Sequence, residues 1–229
     1  MLIPKVNSFN IKLSKNGLSV PVVNDVHIHS IYDPVKEAQH FVASNADVLK
    51  KKNRLLILGL GFAYHIVEFH RILSENFGDD FQIAVIEPSE DIRNKSLECN
   101  IQLPKNVDVY SGLTSNQLYQ DRKFIKFLLE RPAIIPHPAS FQLFSAYFKD
   151  FLAYTSPDKI CDLVGSIVNP ELKKYLEQFD SNMTFESFLS SQYPKKNIEC
   201  AEDYLMAAFK EITLKGRLTD SSSTSTTTK

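Results

Sequence analysis

Apolar and polar positions change period several times along the chain, and each change marks an element. Residues Phe9 to Leu13 and Leu18 to Val23 are alternating or β-branched runs separated by Ser14-Lys15-Asn16-Gly17. Asn-Gly tolerates the positive φ angles of a tight turn, so residues 9–23 are predicted to form a β-hairpin. Asp33-Pro34 follows with an N-cap carboxylate and a first-turn proline, and Glu37 lies near the positive end of the helix they start. That helix is predicted to run from Pro34 to about Leu49, with Ala38, Phe41, Val42 and Leu49 on one face. The run Arg54 to Leu58 is then continuously apolar after its first residue and ends at Gly59-Leu60-Gly61, the pattern of a central parallel strand buried on both faces.

A helix from Phe62 to Asn76 and a second buried strand from Phe81 to Glu87 complete a strand, glycine turn, helix, strand unit. Ser89 can cap the next helix, Val107 to Tyr110 reads as a third strand, Thr114-x-x-Gln117 has the form of a capping box, and Ala133 to Ile135 reads as a fourth strand closed by Pro136-His137-Pro138. Alternating strands and helices predict an α/β fold, a Rossmann-like doubly wound, mostly parallel sheet. From Ser140 aromatic stripes take over: Phe141, Phe144, Phe148 and Phe151, then Tyr204, Leu205, Ala208, Phe209 and Ile212, both assigned to packing. The expected organisation is an N-terminal β-hairpin segment (1–32), a Rossmann-like domain (33–139), a helical extension (140–219) and a disordered Ser/Thr tail (220–229).

Composition narrows the function classes. With 26 basic and 27 acidic residues the formal net charge is -1, which supplies no field for drawing in nucleic acid or an anionic membrane, and neither partner is expected. The longest apolar stretch is about 13 residues, short of the ~20 needed to span a bilayer. The first fifteen residues alternate instead of forming an apolar block, so a secretory signal is not expected and a cytoplasmic location is. Cys99, Cys161 and Cys200 are odd in number and widely separated, as reduced thiols would be.

Candidate chemistry concentrates at the first glycine turn. Gly59 and Gly61 let the backbone turn tightly and approach a ligand, and free N–H groups at the helix start, beside Tyr64 and His65, can bind a polar group. Glu87 ends the next strand, where a carboxylate can accept from both hydroxyls of a ribose; Ser111 and Gly112 end the third strand on the same edge. Together they form a candidate nucleoside pocket, the alternative being that the glycines only turn the chain and Glu87 only caps the next segment. Tyr64 stands where a dinucleotide fingerprint has its third small residue, which argues against NAD. His65 and His70 are five apart and do not share a helix face. His27-x-His29 lies on one side of an extended segment with no acid or histidine at ligand spacing, so packing is its expected role and no metal site is predicted. No catalytic nucleophile is identified.

Two segments carry a family resemblance. His29-Ser30-Ile31-Tyr32-Asp33-Pro34-Val35-Lys36-Glu37-Ala38, followed by Gly59-Leu60-Gly61-Phe62-Ala63-Tyr64-His65, resembles the N-terminal region of motility accessory factor proteins. These are flagellin glycosyltransferases related to a 6-hydroxymethylpterin diphosphokinase-like domain; their pattern is approximately HSxYDPxxEA, then GxGxGYH. Ala63 stands where that pattern has its third glycine. The resemblance covers roughly residues 9–140 and implies an α/β fold with a binding role for Gly59, Gly61, Tyr64, His65 and Glu87. It does not bring the family's sugar-transfer domain, so the leading expectation is a stand-alone accessory module without complete catalysis, holding a nucleotide-like small molecule or a protein partner in a glycosylation system. Two alternatives remain open. One is an S-adenosylmethionine-dependent methyltransferase, whose fold also uses a glycine turn after the first strand and an acid ending the second. The other is a degenerate Rossmann-like interaction scaffold.

Overall fold

The computed structural model describes residues 3–155, 159–167, 169–185, 187–188, 200–205 and 207. The chain divides into two compact units, residues 1–154 and 155–229. In the first, β1 (Phe9–Leu13) pairs antiparallel with β2 (Ser19–Val23), and β2 with the short β3 (Val26–His27). The predicted hairpin is present, and its turn takes a specific form. Gly17 N–H donates to Ser14 O and Ser14 N–H to Leu18 O, while Gly17 alone in the turn has positive φ (81°). This is a three-residue loop whose last residue is left-handed.

Asp33 caps α1 (Pro34–Ala43) by accepting from the N–H groups of Val35 and Lys36. The helix predicted to reach Leu49 breaks at Ser44-Asn45 and resumes as the short α2 (Ala46–Leu49). The reason is local: Ser44 Oγ and Asn45 Nδ2 both donate to Phe41 O, offering the backbone an alternative to the next helical bond.

The main sheet contains β4 (Arg54–Leu58), β5 (Gln82–Glu87), β6 (Val107–Ser111) and β7 (Ala133–Pro136), all parallel, in the order β6-β5-β4-β7. Leu55 to Leu58 lie in the centre and are completely buried, as an unbroken apolar run requires. Leu56, Leu58, Ala84 and Ile86 face one core, shared with α4 (Glu90–Glu98), α5 (Ser115–Leu118), α6 (Arg122–Leu129) and α8 (Ser145–Leu152). Leu55, Ile57, Ile83 and Val85 face the other, shared with α1, α2 and α3 (Tyr64–Phe77). Helices on both faces make this a Rossmann-like doubly wound α/β fold.

Helix caps follow the sequence. Ser89 accepts from Ile92 N–H, and Thr114 and Gln117 close a reciprocal capping box at α5. The first unit extends past the expected boundary at residue 139: α7 (Pro138–Leu143) and α8 belong to it, with Phe144, Phe148 and Phe151 buried in the sheet's core.

The second unit carries α9 (Ile160–Ser166) and α10 (Pro170–Leu176) around its own small core of Ile160, Leu176 and Phe188. Tyr204 and Leu205, expected in a packed stripe, are exposed; Ala208, Phe209, Ile212 and the Ser/Thr tail lie outside the described residues. Cys99, Cys161 and Cys200 are free thiols. Among the described residues no helix is long and apolar enough to cross a membrane.

Candidate functional site

The chain runs outward from β4 to β5 and β6, then returns to lay β7 on the other side of β4. The direction of winding therefore reverses between β4 and β7, and the carboxyl ends of the strands beside that point are where open α/β sheets hold ligands. Both glycines of the first turn lie here in left-handed or related backbone, Gly59 at φ 108° and Gly61 at φ 51°. They are needed for close approach, but the approaching groups belong to the protein. A Cβ on Gly59 would fall 2.2 Å from Ser140 Cβ, and one on Gly61 would fall 2.4 Å from His29 Nε2.

The N–H groups expected to face a ligand are likewise taken. Leu60 N–H donates to Glu87 Oε2 (2.9 Å) and Phe62 N–H to His29 Nε2 (2.9 Å). Glu87 also accepts from Ser89 N–H (3.1 Å) and from the backbone of Gly61. Its carboxyl is fully buried, so instead of facing a ribose it ties the glycine turn to the start of α4. Burial pushes its pKa up to about 7, against the opposing pull of those three backbone donors.

Tyr64 donates its hydroxyl to Ser19 O (2.7 Å), fastening the first turn of α3 to the hairpin. His65, one residue on, points into the switch point and donates from Nε2 to Gly59 O (3.0 Å). There it meets two histidines that sequence spacing did not join to it. His65 and His137 stack at 4.2 Å with rings 12° apart, and His29 lies 5.6 Å from the first and 5.1 Å from the second. All three are buried. Burial is the main reason each prefers to be neutral: it pulls His65 down to about 3, and His29 and His137 also fall below the ordinary histidine value. His29 Nδ1 lies 3.7 Å from Glu37 Oε2, whose charge partly offsets the burial. The signal that could have found the cluster is positional: His137 directly follows the carboxyl end of β7, His65 lies in the first helical turn after the glycine turn of β4, and those two strands are neighbours.

Ser111, the last residue of β6, and Gly112 sit at the carboxyl end of that strand, across the sheet from this cluster. Gly112 N–H donates to Glu87 O (3.0 Å), and Glu90 Cγ occupies the space where a Cβ on Gly112 (φ 63°) would stand. Gly112, Ser89, Glu90 and Asp91 line a cavity of about 260 Å³, closed on another side by Ile3, Pro4 and Val6. A larger hollow of about 440 Å³ lies between α1, α2 and α3 and includes His40, Glu68 and Arg71, but no residue of the strand ends. There Arg71 is held by Glu68 and Glu75.

No protein-family model matches the chain, and no curated protein matches it. Among solved structures, MnmC2 from Aquifex aeolicus is similar over 56% of this chain and 58% of its own, at 14% identity and a TM-score of 0.35. A putative O-methyltransferase from Klebsiella pneumoniae is similar over 63% of this chain and 66% of its own, at 18% identity and a TM-score of 0.31. An O-methyltransferase from Bacillus cereus, solved in complex with SAH, is similar over 69% of this chain and 78% of its own, at 18% identity and a TM-score of 0.27. The chain thus spans less than two thirds of the first two structures.

Proposed function

We propose that the chain binds a nucleoside ligand without phosphate, of the S-adenosylmethionine type, over the carboxyl ends of β5 and β6, and that methyl transfer is the class of reaction it serves. The observation that carries this reading is the chemistry of the 260 Å³ cavity. Glu90 and Asp91 offer two carboxylates, Ile3, Pro4 and Val6 an apolar wall, and among the described residues no lysine or arginine lines the cavity. Phosphate groups meet like charge there, which disfavours NAD, CMP and UDP-sugars. Ribose hydroxyls and an exocyclic amine are donors to those carboxylates, an apolar wall suits the face of a base, and a sulfonium adds a positive charge. In this reading Glu87 shapes the turn, and the ligand's hydroxyls are taken by the residues just after it.

A second reading keeps the module without catalysis, as the resemblance to motility accessory factor proteins implies. It is favoured by Ser140 and His29, which fill the space beside Gly59 and Gly61. Calorimetry with S-adenosylmethionine, its demethylated product, adenosine, CMP and a UDP-sugar separates the two. The first reading expects the three phosphate-free compounds to bind, and Glu90→Gln to weaken them at least about tenfold, since a hydrogen bond to a charged group is worth about 1.5–3 kcal/mol. Tighter binding of CMP or the UDP-sugar than of adenosine would sink it. Binding of none of the five favours the second reading.

A further inference from the structure

The histidine cluster at the switch point is separate from that cavity, and it has the construction of a metal site. One ring nitrogen from each of His29, His65 and His137 lies within 4.8 Å of the other two. The decisive atom is His65 Nδ1. The Nε2–H of the same ring is committed to Gly59 O, so Nδ1 carries a lone pair, and this buried atom has no hydrogen-bond partner among the described residues. A buried acceptor left unpaired is costly. A histidine whose one nitrogen donates to a carbonyl while the other is bare has the arrangement in which metal-binding imidazoles are held.

The other two rings are prepared in the same manner. His137 Nδ1 is paired with Ser140 Oγ (2.9 Å), which leaves Nε2 as its ligand atom. His29 turns Nδ1 toward Glu37, itself fixed by Ser30 N–H at 2.8 Å, a carboxylate–histidine pair of the kind that supports metal ligands. Its Nε2 accepts from Phe62 N–H, so His29 is the ring that must exchange a partner.

We infer that His29, His65 and His137 bind one divalent transition-metal ion, with zinc the best match to three neutral imidazole donors and an open fourth position. Zinc–nitrogen bonds near 2.0–2.1 Å at tetrahedral angles put ligand nitrogens about 3.4 Å apart. The three must therefore draw together by on the order of 1 Å, a movement that ring rotation can supply. The ion would join the segment after the hairpin, the start of α3 and the end of β7, locking the hairpin over the sheet's carboxyl edge. This inference is independent of the ligand proposed at β5 and β6.

The test uses the full chain stripped with a chelator and titrated with Co2+, which reports a nitrogen-rich tetrahedral site by its visible d–d absorption, and then with Zn2+ as competitor. The expected result is saturation at one equivalent, displacement by zinc, and a rise in melting temperature that chelator reverses. His65→Asn and His137→Asn should abolish the absorption, Glu37→Gln should weaken binding about 10–100-fold, and His27→Asn should leave it unchanged. Should the site variants fail to fold, ring 15N spectra of the wild type decide: the His65 Nδ1 resonance must shift on adding zinc. A folded wild type that binds no equivalent, a His65 resonance that stays put, or a His27 variant as impaired as the other two would overturn the inference.

Discussion

Ala63 carries a cost at the residue scale. Its φ of 61° and ψ of 10° put a non-glycine residue in the left-handed region, directly before α3. That conformation costs roughly 1–2 kcal/mol for an L-residue. Against it, the methyl group is buried and contributes about 0.8 kcal/mol, and alanine loses less backbone entropy on folding than glycine by about 0.4–1 kcal/mol. The terms nearly cancel, which explains how alanine can stand where the resembling pattern has glycine. Urea unfolding should therefore show Ala63→Gly within about 1 kcal/mol of wild type, whereas Ala63→Val, whose branched side chain is excluded from this region, should lose more than about 2 kcal/mol. A valine variant as stable as wild type would mean that the turn does not hold this conformation.

Glu87 adds a pH dependence with a definite sign. Its pKa rises from an ordinary 4.5 to about 7 on folding, so between those values the folded state binds more protons than the unfolded one. The group's contribution is fully present below about 4.5 and is lost as pH rises through about 7, a change on the order of 3 kcal/mol. The buried histidines titrate in the opposite sense, so the difference between wild type and Glu87→Gln is the clean measurement. The wild type's advantage over that variant should shrink by about 2–3 kcal/mol between pH 5 and pH 8. A constant gap would show that Glu87 stays ionised throughout.

At the scale of elements, what the sequence makes legible depends on how local the cause is. The run Leu55 to Leu58 announces a central strand because burial on both faces demands unbroken apolarity, and the glycines after it mark a turn because their positive φ favours glycine and a Cβ at either would collide with Ser140 or His29. Caps at Asp33, Ser89 and Thr114 are equally local. The break at Ser44-Asn45 is local too, but it competes with a favourable helical face, and periodicity alone weighs the face more heavily. The histidine cluster is not local. His29, His65 and His137 converge only because β7 returns to the side of β4 opposite β5, and Tyr64 draws the hairpin over the same edge. Spacing along one helix or strand carries no trace of that convergence. The partners of Glu87 were hidden for a related reason: a carboxylate at a strand end can face solvent, a ligand or the neighbouring turn, and the choice is made by side chains from distant segments.

At the scale of the whole molecule, each cluster of described core residues lies within one unit. Among the described residues, the two clusters that cover the faces of the main sheet extend no further along the chain than Phe151, within the first unit. The sequence placed a boundary at residue 139 because the aromatic stripe after it follows the last strand; the structure assigns that stripe to the sheet instead, since Phe144, Tyr147, Phe148 and Phe151 pack under Leu56, Leu58 and Ile86. A chain ending at Tyr154 is therefore expected to fold alone, with a single cooperative urea transition, while one ending at residue 139 loses four large buried aromatics. At about 3–5 kcal/mol for emptying each such site, that loss equals or outweighs most of the 5–15 kcal/mol range by which a whole domain is ordinarily stable. Circular dichroism and urea titration of the two fragments check this directly: a cooperative fragment ending at 139, or an unfolded one ending at 154, would return the boundary to where the aromatic stripe begins.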